Sequence, residues 1–256
     1  MTQSKVVVHT EPRLLAESAA ARLIVRLTDA QAERGEATVV LTGGRIAAQI
    51  YQAIRDSPAR DAVDWSRINL WWGDERFLPS GDPERNETQA RAALLDTLKL
   101  DPARVHPMPA TDGPDGDDAE AAAARYAAEL ADVGRPGHAE LPHFDVVLLG
   151  VGEDGHVASL FPEHPVTLET RPVSAVRGSP KPPPVRTTLT LPAINTADEV
   201  WLIASGAGKA AAVGLALASA GPRQIPAAGV HGRDLTLWLL DSAAAHELPP
   251  RFRSLV

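Results

Sequence analysis

Apolar positions along the chain switch between a strand-like and a helical period. A β-branched run at residues 6–8 precedes Ala16, Ala20, Leu23, Ile24 and Leu27, which recur at helical spacing until Gly35 ends the series. A second apolar run, residues 38–41, stops at Thr42-Gly43-Gly44, after which Ile46, Ala47, Ile50 and Ile54 return to helical spacing. Residues 68–72 read as a third strand closed by Gly73-Asp74-Glu75-Arg76, and residues 86–98 as a helix. Residues 144–149, apolar but for Asp145, are read as a fourth, continuous strand that ends in a glycine-rich turn. Residues 199–204 and 235–240 repeat the pattern, with a helical segment at 207–218 between them. Strands that are apolar at nearly every position and alternate with helices predict an α/β fold: a mostly parallel, Rossmann-like sheet with helices on both faces. Ligands of such sheets sit at the carboxyl ends of the strands.

Two stretches interrupt the alternation. Residues 111–118 are acidic and glycine-rich, and residues 179–184 are proline-rich and expected to be extended. Neither reads as a linker, and residues 1–256 are taken as one domain. The alanine-rich run 119–131 is expected to be a helix with Tyr126 and Leu130 as its apolar contacts.

Composition narrows the function. The chain has 256 residues and is 44% hydrophobic, enough for a sizeable core. It has no cysteine, which excludes thiol nucleophiles, disulfides and thiolate metal sites and fits a cytoplasmic protein. A net charge of −8 argues against nucleic-acid and anionic-membrane surfaces, and no apolar run is long enough to span a bilayer. An anionic ligand would therefore need a locally basic pocket.

Four clusters carry candidate chemistry. In Thr42-Gly43-Gly44-Arg45 the glycines permit close backbone approach, the following helix start favours an anion, and Arg45 adds charge. The same glycines also suit a tight turn with no ligand. Asp74, Glu75 and Arg76 place charge at the end of a buried strand, where a Glu–Arg or Asp–Arg tie and a ligand-facing Arg76 are both expected. Gly150, Gly152 and Gly155 match G-x-G-x-x-G only superficially, because acid and histidine occupy the loop itself. His156 can take a proton from water and return it to an alkoxide, and Asp154 can orient its ring. Arg186 follows the proline-rich stretch, and Lys209 opens a helix after a strand, an anion-favouring position; either can also be a solvated surface charge. His9, His106, His138, His143, His164, His231 and His246 lack a comparable setting and read as structural. No H-x-x-x-H pair or cluster of three histidines and carboxylates suggests a metal, and Ser159 does not sit at a nucleophile elbow.

Trp72-x-Asp74-Glu75-Arg76, Gly152-x-Asp154-Gly155-His156-x-Ala158-Ser159-Leu160-Phe161-Pro162, Arg186-x-Thr188, Ser205-Gly206-x-x-Lys209 and the closing Gly232-Arg233-Asp234-Leu235-Thr236 occur in an order that resembles the 6-phosphogluconolactonases over nearly the whole chain. The resemblance implies a fold of the sugar-phosphate isomerase/lactonase type. It implies hydrolysis of 6-phospho-D-glucono-1,5-lactone in the oxidative pentose phosphate pathway, without cofactor or metal. The expected partner is the small sugar phosphate lactone alone, with the protein a monomer or small homo-oligomer. On this reading His156, Asp154, Arg76 and Asp74 are catalytic, and Gly43, Gly44, Arg45, Arg186 and Lys209 bind the phosphate. Many members of that family carry Ser-Gly-Gly-Ser-Thr-Pro where this chain has Thr42-Gly43-Gly44-Arg45-Ile46-Ala47, so Arg45 replaces hydroxyl contacts with a guanidinium. The related glucosamine-6-phosphate deaminases continue from the D-G-H turn to an Asn-Glu pair, where this chain has Leu160-Phe161-Pro162. The alternatives are such an amino-sugar-phosphate deaminase or isomerase, and a non-catalytic sugar-phosphate-binding protein. A DNA-binding regulator would need a basic helix-turn-helix region that the chain lacks.

Overall fold

A computed structural model describes residues 4–134 and 141–255. The chain runs β1 (Ser4–His9), α1 (Pro12–Arg34), β2 (Ala37–Leu41), α2 (Arg45–Asp56), β3 (Ile68–Trp72), β4 (Asp74–Arg76), α3 (Asn86–Ala93) and α4 (Ala119–Val133). It continues through β5 (Val146–Gly150), β6 (Val173–Val176), β7 (Arg186–Leu189), α5 (Leu191–Ile194), β8 (Glu199–Ala204), α6 (Ala210–Leu217) and β9 (Leu235–Asp241).

Six strands form one sheet in the order β1-β9-β8-β5-β2-β3, with every pairing parallel. All residues of β2 and β3 are buried, so both sheet faces are covered, as unbroken apolar runs require. From β2 the chain moves to β3 at one edge, then returns to place β5 on the other side of β2. That reversal opens a crevice between the carboxyl ends of β2 and β5.

A second sheet, antiparallel and ordered β4-β7-β6, has no counterpart in the periodicity reading. Gly73 joins the two sheets: its N–H donates to Leu41 O of the main sheet at 2.9 Å, and its carbonyl accepts from Leu189 N–H at 2.8 Å. The residues expected as a polar turn after β3 are thus strand β4. The small sheet rests against α4, whose Tyr126 and Leu130 are fully buried as expected.

Several boundaries differ from the periodicity. The expected helix at 86–98 stops at Ala93, because Leu94 leaves helical geometry and a 3-10 turn, Leu95–Thr97, follows. The segment at 207–218 divides into a 3-10 turn, Ala207–Lys209, and α6. The fourth strand starts at Val146 rather than residue 144, since Asp145 is engaged otherwise: its carboxylate accepts from Thr38 N–H at 2.8 Å. Asp145 also belongs to a group the spacing did not reveal. His143, Asp145 and Asp198 bring possible ligand atoms within 4.8 Å of one another. Arg26 lies 3.3 Å from Asp145 and 3.4 Å from Asp198, and Arg34 pairs with Asp145, so guanidinium groups already balance these carboxylates.

His106 stacks on Trp71 at 3.9 Å with Nδ1 2.6 Å from Glu129, and His164 accepts from Val166 N–H at the start of a 3-10 turn. Both have structural roles. His138 lies outside the described residues. No helix among the described residues is long and apolar enough to cross a membrane.

Candidate active site

A pocket of about 430 Å³ opens at the β2/β5 crevice and is lined by Gly43, Gly44, Arg45, Asp74, Arg76, His156, Arg186 and Lys209, among others. Eight of the nine residues singled out from sequence therefore share one cavity, and the ninth, Asp154, holds His156 from behind. Four of the lining residues are cations and one, Asp74, is a carboxylate, so the pocket is locally basic in a chain of net charge −8.

The loop after β5 presents the imidazole. Gly152 N–H donates to His156 O at 2.8 Å, closing a tight turn, and His156 Nδ1 lies 2.5 Å from Asp154 Oδ1. That carboxylate accepts only, so in the neutral form of the ring the proton sits on Nδ1 and the lone pair on Nε2, while the charged form is held by the same contact. Burial pushes the Asp154 carboxyl up, but the hydrogen bond and charge of His156, with Lys181 nearby, outweigh it and hold Asp154 well below the usual carboxylate range. Phe161 packs against the ring, with centroids 4.7 Å apart.

The pair also dictates a glycine. A Cβ on Gly152 would lie 1.9 Å from His156 Nδ1 and 2.4 Å from Asp154 Oδ1.

The small sheet supplies two arginines. Arg76 on β4 and Arg186 on β7 are directly opposed across the antiparallel pair. Like charges in that position repel unless an anion lies between or beside them. Arg186 is buried and anchored by the proline-rich stretch, donating to Pro182 O at 2.8 Å and to Lys181 O and Pro183 O at 3.2 Å each. Burial, opposed by Asp74 and reinforced by Arg76, moves its pKa below the ordinary arginine value. Arg76 donates to Glu84 O, and its buried Nε has no partner among the described residues.

The expected acid–arginine tie exists with different partners. Glu75 lies 3.8 Å from Arg85, not Arg76, and its carboxylate accepts from the N–H groups of Asn86 at 2.6 Å, Arg76 at 2.8 Å and Glu87 at 2.9 Å. It thereby caps α3 and fixes β4. Asp74, for its part, accepts from the Ser159 hydroxyl at 2.7 Å and from Asn86 Nδ2 at 3.2 Å. Ser159 is fully buried, in keeping with its rejection as a nucleophile.

Two further turns carry the remaining cations. Tyr51 on α2 grips the backbone of Thr42 twice, accepting from its N–H at 3.1 Å and donating to its carbonyl at 2.6 Å. This holds the Gly43-Gly44 turn, where Gly44 adopts φ +98°, so that the first N–H groups of α2 and the exposed Arg45 face the pocket. After β8, buried Asp241 accepts from the Ser205 hydroxyl at 2.6 Å and from Gly206 N–H at 2.9 Å, fixing the turn that carries Lys209. Burial lowers the pKa of Lys209, against the pull of Glu153.

Sequence reasoning missed Asn86, Asp241 and the position of Lys181, whose amino group lies 3.7 Å from Asp154 Oδ1. Asparagine at a helix start reads as a cap, and nothing local marks the other two.

Residues 10–238 match the family model described as "Glucosamine-6-phosphate isomerases/6-phosphogluconolactonase". The chain belongs to this family. It is 64% identical over 247 residues to a 6-phosphogluconolactonase of Streptomyces coelicolor, covering 96% of this chain and 95% of that protein. A 6-phosphogluconolactonase of Mycobacterium tuberculosis is 48% identical, covering 96% of this chain and 99% of that one. The solved 6-phosphogluconolactonase of Trypanosoma brucei superimposes with a TM-score of 0.84 at 27% identity, covering 97% of this chain and 100% of that one. A monomeric glucosamine-6-phosphate deaminase, at 23% identity and a TM-score of 0.77, shares the fold.

Proposed function

We propose that the chain hydrolyses 6-phospho-D-glucono-1,5-lactone to 6-phospho-D-gluconate, the hydrolytic step of the oxidative pentose phosphate pathway. The observation that carries this reading is the Asp154–His156 pair presenting Nε2 to a pocket walled by Arg45, Arg76, Arg186 and Lys209.

His156 Nε2 takes a proton from water as the water oxygen bonds to the lactone carbonyl carbon. The carbonyl becomes a tetrahedral oxyanion, stabilised by Arg76. The ring carbon–oxygen bond then breaks, and imidazolium returns its proton to the departing alkoxide. The new carboxylic acid ionises, so each turnover releases one proton to the solvent. General-base assistance contributes about 10²–10⁴-fold and an oxyanion donor about 10²–10³-fold, sufficient for an ester already prone to slow hydrolysis.

Gly43, Gly44, the start of α2, Arg45 and Lys209 receive the phosphate, and Arg186 closes on it from the small sheet. Charge-assisted contacts of this kind contribute roughly 1.5–3 kcal/mol each. Asp74, held by Ser159 and Asn86, fixes the wall of the pocket beside the lactone ring. Leu160 and Phe161 are buried in the core, so the site has no acid where the deaminases carry their Asn-Glu pair, which favours the lactonase over the amino-sugar reading.

The test is proton release at neutral pH from freshly made phosphorylated lactone, compared with unphosphorylated gluconolactone and the enzyme-free rate. Acceleration confined to the phosphorylated lactone is expected. No acceleration, with ammonia released from glucosamine 6-phosphate instead, would replace the lactonase by a deaminase.

A further inference from the structure

Asn86 is 2% exposed, stands at the first position of α3 and lines the pocket. Its amide orientation is fixed by chemistry. One end faces two acceptors, Asp74 O at 2.8 Å and Asp74 Oδ1 at 3.2 Å, so that end is the nitrogen. The other end is Oδ1, a buried acceptor with no partner among the described residues. It lies against the phosphate-side turn, where a Cβ on Gly43 would come within 1.9 Å of it.

A buried acceptor left unpaired is costly, and such atoms persist where a ligand completes them. On the proposed function the cations of this pocket serve the phosphate and the oxyanion, and Asp74 is already held by Ser159 and Asn86 itself. The donor that fits a neutral amide oxygen beside a carboxylate is an uncharged hydroxyl.

We propose that Asn86 is a specificity residue whose Oδ1 accepts a hydrogen bond from one secondary hydroxyl of the lactone ring. This rests on the lactonase reading and adds to it a ring contact that selects polyhydroxylated lactones over other phosphorylated esters. A site built around a hydroxyl rejects an analogue lacking it more strongly than it rewards its presence, because the protein acceptor is then stranded.

The experiment compares kcat/KM for the phosphorylated lactone with that for its 2-, 3- and 4-deoxy analogues, using the wild type, Asn86→Ala and Asn86→Ser. Loss of the Asn86 donor to Asp74 affects parent and analogue alike, so the ratio isolates the hydroxyl contact. The wild type is expected to discriminate against one analogue by about five- to a hundredfold, and both variants to lose that discrimination. Asn86→Ser keeps a small polar group at the helix start and serves if the alanine variant does not fold. A wild-type ratio near one for all three analogues overturns the proposal without any variant, as does a ratio the variants leave unchanged. If the wild type fails on the parent lactone, the lactonase reading falls first and this inference with it.

Discussion

Gly152→Ala isolates the role of the His156 geometry without touching a reactive group. The added methyl would lie 1.9 Å from His156 Nδ1, 2.2 Å from its Cε1 and 2.4 Å from Asp154 Oδ1. Ordinary contact between such atoms begins near 3.4 Å, so the imidazole must retreat by roughly 1.5 Å. The backbone at Gly152 does not need a left-handed φ, and both obstructing groups are side chains, so the fold gives way cheaply. An overpacking cost of about 1–3 kcal/mol is expected, against a loss of kcat of about 10²-fold or more, because displacement of a catalytic group by about 1 Å already costs that much. Steady-state proton release and thermal unfolding on the same preparation measure both. Gly152→Ala combined with His156→Ala should be no slower than His156→Ala alone and should regain part of the lost stability, since the clash with the ring has gone and only that with the Asp154 carboxylate remains. A Gly152→Ala enzyme within about threefold of wild-type kcat would refute the claim that this imidazole position matters.

Three other expectations follow from the same contacts. Arg85 is 1% exposed and donates to Leu78 O, Met108 O and Pro109 O beside Glu75, so Arg85→Ala should lower the unfolding free energy in urea by about 3–5 kcal/mol; a loss below about 1 kcal/mol contradicts that role. Burial, against Arg85 and three backbone donors, pushes Glu75 from 4.5 up to about 7, so between those values the folded state holds a proton the unfolded state has lost. Stability contributed at this site therefore falls as pH rises through that window, and the wild type should lose ground to Glu75→Gln between about pH 5 and pH 7.5 in urea unfolding; a widening lead would reverse the sign. Arg186→Ala and Lys209→Ala should mainly raise KM, and Arg76→Ala should mainly lower kcat by about 10²–10³-fold; the opposite split would exchange their assignments.

The main sheet was legible because its strands are buried on both faces and so appear as unbroken apolar runs; β3 was placed to the residue. The small sheet was not. β4 is three charged residues and β7 is Arg186-Thr187-Thr188-Leu189, and their partnership spans more than a hundred positions of chain. Neither has an alternation that a window of local sequence can register. The same division runs through the site. His156 and Asp154 are two residues apart, so their cooperation is a local fact. The opposition of Arg76 and Arg186 exists only in the register of a sheet the sequence does not announce, and the unpaired Oδ1 of Asn86 depends on where Asp74 and Gly43 come to rest.

The proposed function divides the labour: the turns after β2 and β8, with Arg186, would hold the phosphate, the turn after β5 would move a proton, and Arg76 would stabilise charge as it develops. The most direct test of that account is the turnover of the phosphorylated lactone by His156→Ala alongside the affinity of the same variant for 6-phosphogluconate, measured by calorimetry. A fall in kcat of about 10²–10⁴-fold with product affinity within a few-fold of wild type is predicted. Near-normal kcat, or affinity lost in step with turnover, would contradict it.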